Sequence, residues 1–113
     1  MLKKVWLDIG IERTDIHKGV TIKVLLDSGT MGMFMNRETA AKHGFKLQKL
    51  ERPVRVKNVD GTYNSRGAIM HEVEVNVYYK SYVERMRMDI CNLGRTEVIL
   101  RMPWLASYYP EIN

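Results

Sequence analysis

Cysteine is nearly absent from this sequence. Cys91 is the only one in 113 residues, which excludes an internal disulfide and fits a reducing compartment. With no histidine spaced to activate it, Cys91 reads as a small core residue rather than a nucleophile. The three histidines, His17, His43 and His71, are too scattered to hold a metal, and no Cys/His spacing suggests zinc. No motif calls for a cofactor. Long apolar runs are missing too, so neither a membrane-spanning helix nor a signal peptide is expected. The expected setting is cytoplasmic. Although the net charge is +5, no dense basic tract occurs. Lys3, Lys4, Lys46, Lys49, Arg52, Arg55, Lys57, Arg85 and Arg87 are spread along the chain without a stacking aromatic signature. That pattern suits solvated strand faces and argues against nucleic-acid binding.

What is present is a soluble composition, 45% apolar and 27% charged, in a length that suits one domain over residues 1–113. Strand patterns dominate it. Val5, Leu7, Ile9 and Ile11 alternate with Trp6, Asp8, Gly10 and Glu12, which predicts a half-buried strand. A polar turn over 14–19 leads into a second strand, Val20 to Leu26, whose end is continuously apolar. Such a change from alternation to a continuous run predicts burial on both faces. Gly32 to Met35 reads as a short strand. Asn36 then resembles an N-cap for a helix over Arg37–His43, with Gly44 as its stop.

Farther on, Pro53 to Val59 alternates into Asp60-Gly61, a strong hairpin signal. Ala68–Tyr79 and Tyr82–Cys91 alternate about a Lys80-Ser81 turn, and Glu72 and Glu74 are placed to pair with Arg85 or Arg87. Glu97 to Leu100 is another short apolar run. Pro103 opens a short helix over Trp104–Tyr108. Many short strands with one or two short helices predict an all-β domain closed into a barrel.

The position with chemical promise is Asp27, in Leu25-Leu26-Asp27-Ser28-Gly29-Thr30. A buried strand there delivers a carboxylate into a tight loop. Backbone N–H groups and hydroxyls of such a loop can hold the acid. Asp-Ser-Gly alone is an ordinary turn triplet. Two further segments make it specific: the hairpin Asn58-Val59-Asp60-Gly61-Thr62 and the run Val98-Ile99-Leu100-Arg101-Met102-Pro103-Trp104-Leu105.

In order and spacing, the three pieces resemble the retropepsin domain of retroviruses and gypsy-like retrotransposons, an aspartic protease domain. The likeness runs from about Val5 to Asn113, and Tyr109-Pro110-Glu111-Ile112-Asn113 is similar to the retrotransposon branch. The resemblance implies a closed all-β acid-protease barrel with a flap hairpin. It implies that Asp27 is catalytic, that Ser28, Gly29 and Thr30 support its loop, and that Asn58, Val59, Asp60, Gly61 and Thr62 form the flap over an extended peptide. Met31, Met33 and Ile99 are candidate subsite walls, with core packing as the alternative for each. Because the chain has one Asp-Ser-Gly triplet, the resemblance implies a homodimer that cleaves a retroelement polyprotein, within the cytoplasm or virus-like particles. Arg101 departs from the family's Ile-Leu-Gly pattern. It must point outward or push the catalytic loop apart, and a special backbone conformation there would store strain. A catalytically weak or inactive dimerisation or peptide-binding module is the alternative.

Overall fold

The computed structural model describes residues 4–29, 32–57 and 63–101. Seven strands and one helix follow in order: β1 (Lys4–Arg13), β2 (Gly19–Asp27), β3 (Phe34–Asn36), α1 (Arg37–Lys42), β4 (Gln48–Lys57), β5 (Tyr63–Tyr79), β6 (Tyr82–Cys91) and β7 (Val98–Arg101). They lie in the order β1-β2-β7-β3-β6-β5-β4, and a further β1–β5 pairing closes six of them into a barrel. The expected all-β closed barrel is therefore what forms. The hairpin tip at 58–62 and the short helix expected over Trp104–Tyr108 lie outside the described residues.

Alternation in the chain becomes an inside and an outside. Ile9 and Ile11 of β1, Ile22, Val24 and Leu26 of β2, Val73, Val75 and Val77 of β5, Met88 and Ile90 of β6, and Val98 and Leu100 of β7 fill one core. Removing each such side chain from water stabilises the fold by about 1.5–3 kcal/mol before ordering costs. On the outside, Arg85 Nε lies 2.8 Å from Glu74, and an Arg87 guanidinium nitrogen lies 3.3 Å from Glu72. These are the cross-strand pairs that the alternation predicts. Both arginines are largely exposed, so each pair contributes only a few tenths of a kcal/mol.

The closing seam has its own polar lock. Glu12 of β1 stands opposite Asn76 of β5. Its carboxylate accepts hydrogen bonds from Asn76 Nδ2 and the Tyr78 hydroxyl, each at 3.0 Å. The Asn76 bond leads the causes that hold this carboxyl below its ordinary value. Tight approach is needed at the same seam: a Cβ on Gly10 would meet Tyr78 Cβ at 3.3 Å.

Two strands are longer than their patterns suggest. β4 begins at Gln48 rather than Pro53, and β5 at Tyr63 rather than Ala68. Residues 51–54 are exposed in succession, with no inside and outside to impose alternation. The start of β5 is set by pairing, Lys57 with Tyr63, through a stretch that is polar and contains Gly67.

Helix α1 ends as expected. Gly44 takes a left-handed φ of +70°, and the N–H groups of Gly44 and Phe45 donate to the carbonyls of Ala41 and Ala40. That is the Schellman arrangement. Its start differs. Asn36 is backbone-extended but makes no side-chain capping bond. The side chain instead donates to the Gly94 carbonyl at 3.0 Å and accepts from the Leu93 N–H at 3.3 Å. Long-range anchoring thus replaces the local cap, and Asn36 is only 5% exposed. Replacing Asn36 with Ala strands both backbone groups and should cost about 1–3 kcal/mol, read as a lower urea midpoint with an unchanged slope.

Candidate active site

β2 carries Asp27 at its end, between two strands. Lys4 of β1 is its antiparallel partner and Arg101 of β7 its parallel partner. The strand is held on both edges, so the acid's backbone is fixed by the sheet before any loop contact. Val24 and Leu26 are fully buried on the inner face, and Leu25 is 7% exposed on the outer one. Burial on both faces follows the continuous apolar run. Beyond the strand the chain turns, and the Gly29 N–H donates to Asp27 Oδ1 at 2.8 Å. This bond fixes the carboxylate's direction. Asp27 and Ser28 are half-buried and Gly29 is exposed.

Arg101 continues β7 in ordinary extended backbone and is exposed. Among the described residues only His17 and Lys80 are non-glycine residues with positive φ. Of the two outcomes expected for this arginine, the outward one is found, without a left-handed backbone. The space beside Asp27 is therefore bordered by a guanidinium-bearing strand rather than by a glycine.

The register shows which residues share Asp27's face. One step of two residues back along the sheet, Trp6, Leu25, Ile99 and Phe34 lie side by side on β1, β2, β7 and β3. Two residues of strand are about 6.6 Å, so this apolar row lies one side-chain repeat from the acid. Ile99 and Phe34 are half-buried, and Trp6 is 50% exposed. The Phe34 ring lies over Gly32, where an added Cβ would come within 3.2 Å of it. Farther along the face, Trp6, Lys23, Arg95 and Glu97 line a groove of about 500 Å³.

Of the candidate wall residues, Ile99 stands in this row. Met33 packs against the edge of the core, and its carbonyl accepts the Asp89 N–H at 2.9 Å. Thr30, Met31, Asn58, Val59, Asp60, Gly61 and Thr62 lie outside the described residues. No local pattern in the sequence marks Leu25, Phe34 or Trp6 as lining this face. Only the strand order brings them beside Ile99, and Leu25 resembled any core residue of an apolar strand.

Among the described residues no cluster of three His, Cys, Asp or Glu side chains could hold a metal. Cys91 is half-buried at the end of β6, not in the core, and burial pushes its thiol up, with Asp89 adding to the effect. Such a thiol is a poor nucleophile. Asp89, opposite Glu72, has its carboxyl raised by burial first and by the Glu72 charge second. A raised carboxyl favours the protonated native state, so its contribution is fullest below the unfolded value and is lost as pH rises through the folded one. Asp89→Asn should therefore raise the melting temperature at neutral pH. The gain should vanish below about pH 4, where both states of the parent are protonated.

An all-β barrel that ends a central strand in Asp-Ser-Gly, with the acid held by the loop's own N–H, defines a retropepsin-like domain. The PEG10/RTL1 protease domain model matches residues 23–113. The chain belongs to that family, a retropepsin-like domain derived from gypsy retrotransposon Pol. The match begins within β2, so β1, which closes the barrel, precedes it.

Proposed function

We propose that this protease domain is an aspartic endopeptidase, active as a homodimer, that cuts extended segments of a retroelement-type polyprotein. The observation that carries the reading is Asp27 at the end of β2, with the Gly29 N–H on Oδ1 at 2.8 Å. One carboxylate cannot act as base and acid at once, so the reaction needs a second copy related by a two-fold axis. Two facing carboxylates share one proton, as in aspartic proteases generally. The ionised one takes a proton from water, and the protonated one donates a hydrogen bond to the scissile carbonyl. Leu25, Ile99 and Phe34 would form the apolar floor for substrate side chains. The hairpin Asn58-Val59-Asp60-Gly61-Thr62 would close over the peptide with main-chain hydrogen bonds.

Arg101 favours a second reading, a retropepsin-like module that dimerises or binds peptide without cutting it. The two separate cleanly. The purified domain is incubated with an unfolded polyprotein across the mildly acidic range, fragments are read by mass spectrometry, and association by sedimentation. Cleavage that pepstatin blocks is the expected result. A stable dimer with no cleavage at any pH would establish the second reading instead.

A further inference from the structure

Asp27 stands between two cations. Lys4 is its register partner on β1 and Arg101 its partner on β7. Residues directly paired across a sheet project to the same face, so both cations share the acid's face. Both are exposed, and their charge reaches the solvent in front of the rung. Elsewhere on the sheet cations have acids beside them: Lys23 is paired with Asp8, and Arg85 and Arg87 reach Glu74 and Glu72. On Asp27's rung the balance is different, two cations to one acid. Pairing of two copies accentuates it. When two Asp27 carboxyls share one proton, the four cations of the two rungs surround a single negative charge.

We infer that Arg101 and Lys4 select substrates, and that the preferred peptide carries a carboxylate side chain within about three residues of the bond to be cut. This substrate class belongs to the protease reading above and rests on it. Adjacent strands are about 4.8 Å apart and residues of an extended peptide about 3.3 Å. A peptide lying over Asp27 therefore carries its neighbouring side chains past both flanking strands. Arg101 offers a planar fork that takes a carboxylate bidentately, and Lys4 a mobile point charge. These separations fall inside the screening length of about 8 Å at physiological salt, so exposure does not erase the attraction. Leu25, Ile99 and Phe34, one side-chain repeat away, receive the apolar residues of the same peptide. Arg101 is thus a specificity residue rather than an obstacle beside the acid.

The test uses the whole domain and labelled peptides that share one apolar cleavage pair. Each carries glutamate or glutamine at one of the three positions on either side of that pair. At the best position kcat/KM should favour glutamate about fivefold at low salt. The preference should fade in about 1 M salt, and below about pH 4, where the substrate carboxyl is protonated. Arg101→Gln with Lys4→Gln should abolish it, and Arg101→Glu should favour lysine instead. Lys18→Gln, on the exposed β1–β2 turn, should leave it unchanged. A ratio of two substrates on one protein is unmoved by a loss of folded or dimeric fraction. Fluorescence anisotropy with Asp27→Asn reads the same preference as affinity, without hydrolysis. A glutamate preference in binding, with no cleavage by the parent, supports the selection and overturns the protease reading. No preference at any of the positions, or one that survives the double glutamine variant, overturns the selection.

Discussion

Asp27→Asn should lower kcat/KM for peptide hydrolysis by about 10³-fold or more without moving the unfolding midpoint. The substitution keeps the side chain's shape and an oxygen for the Gly29 N–H, which now lies 2.8 Å from Oδ1. What it removes is the ability to hold a negative charge and take a proton from water. Mixing the variant with the parent adds a stricter test. If each site needs two Asp27 carboxylates, and subunits exchange freely, activity falls with the square of the parent fraction. A linear fall would mean that one carboxylate suffices, which is incompatible with the proposed chemistry.

Leu100→Ala should have the largest effect on stability, a loss of about 2–5 kcal/mol from a total that for such domains is about 5–15 kcal/mol. Leu100 is 0% exposed and is the register partner of Leu26, directly behind the rung that holds Asp27. Among the described residues β7 spans four positions between β2 and β3, and Leu100 is one of its two fully buried side chains. The same change at Leu47, which is 37% exposed, should stay within about 0.5 kcal/mol. Urea titration of both variants gives the comparison.

Much of the fold is legible in the chain because burial on one face leaves a period of two. β1 and β6, the first part of β2, and β5 from Ala68 onward follow that rule. The start of β4 does not, since residues exposed on both sides carry no pattern. Asn36 was legible as a residue at a helix start, but its true partners, Leu93 and Gly94, are brought close only by the fold. Asp27 was legible because a carboxylate is out of place at the end of an apolar run. The floor beside it was only partly so. Ile99, Leu25 and Phe34 come from three strands, and their adjacency depends on one parallel and one antiparallel pairing that no local pattern encodes.

The seam between β1 and β5 also governs when the molecule can form. Ile11 pairs with Val77, and Val24 with Val98, so the first two strands wait for partners from the far end of the chain. Loop closure of that span must precede the contacts that reward it, which slows folding in β-rich topologies. During synthesis the β1–β2 hairpin emerges early but stays without its other neighbours until β5 and then β7 have left the ribosome. Asp27, at the end of β2, is thus set in place by one of the last described strands to be made.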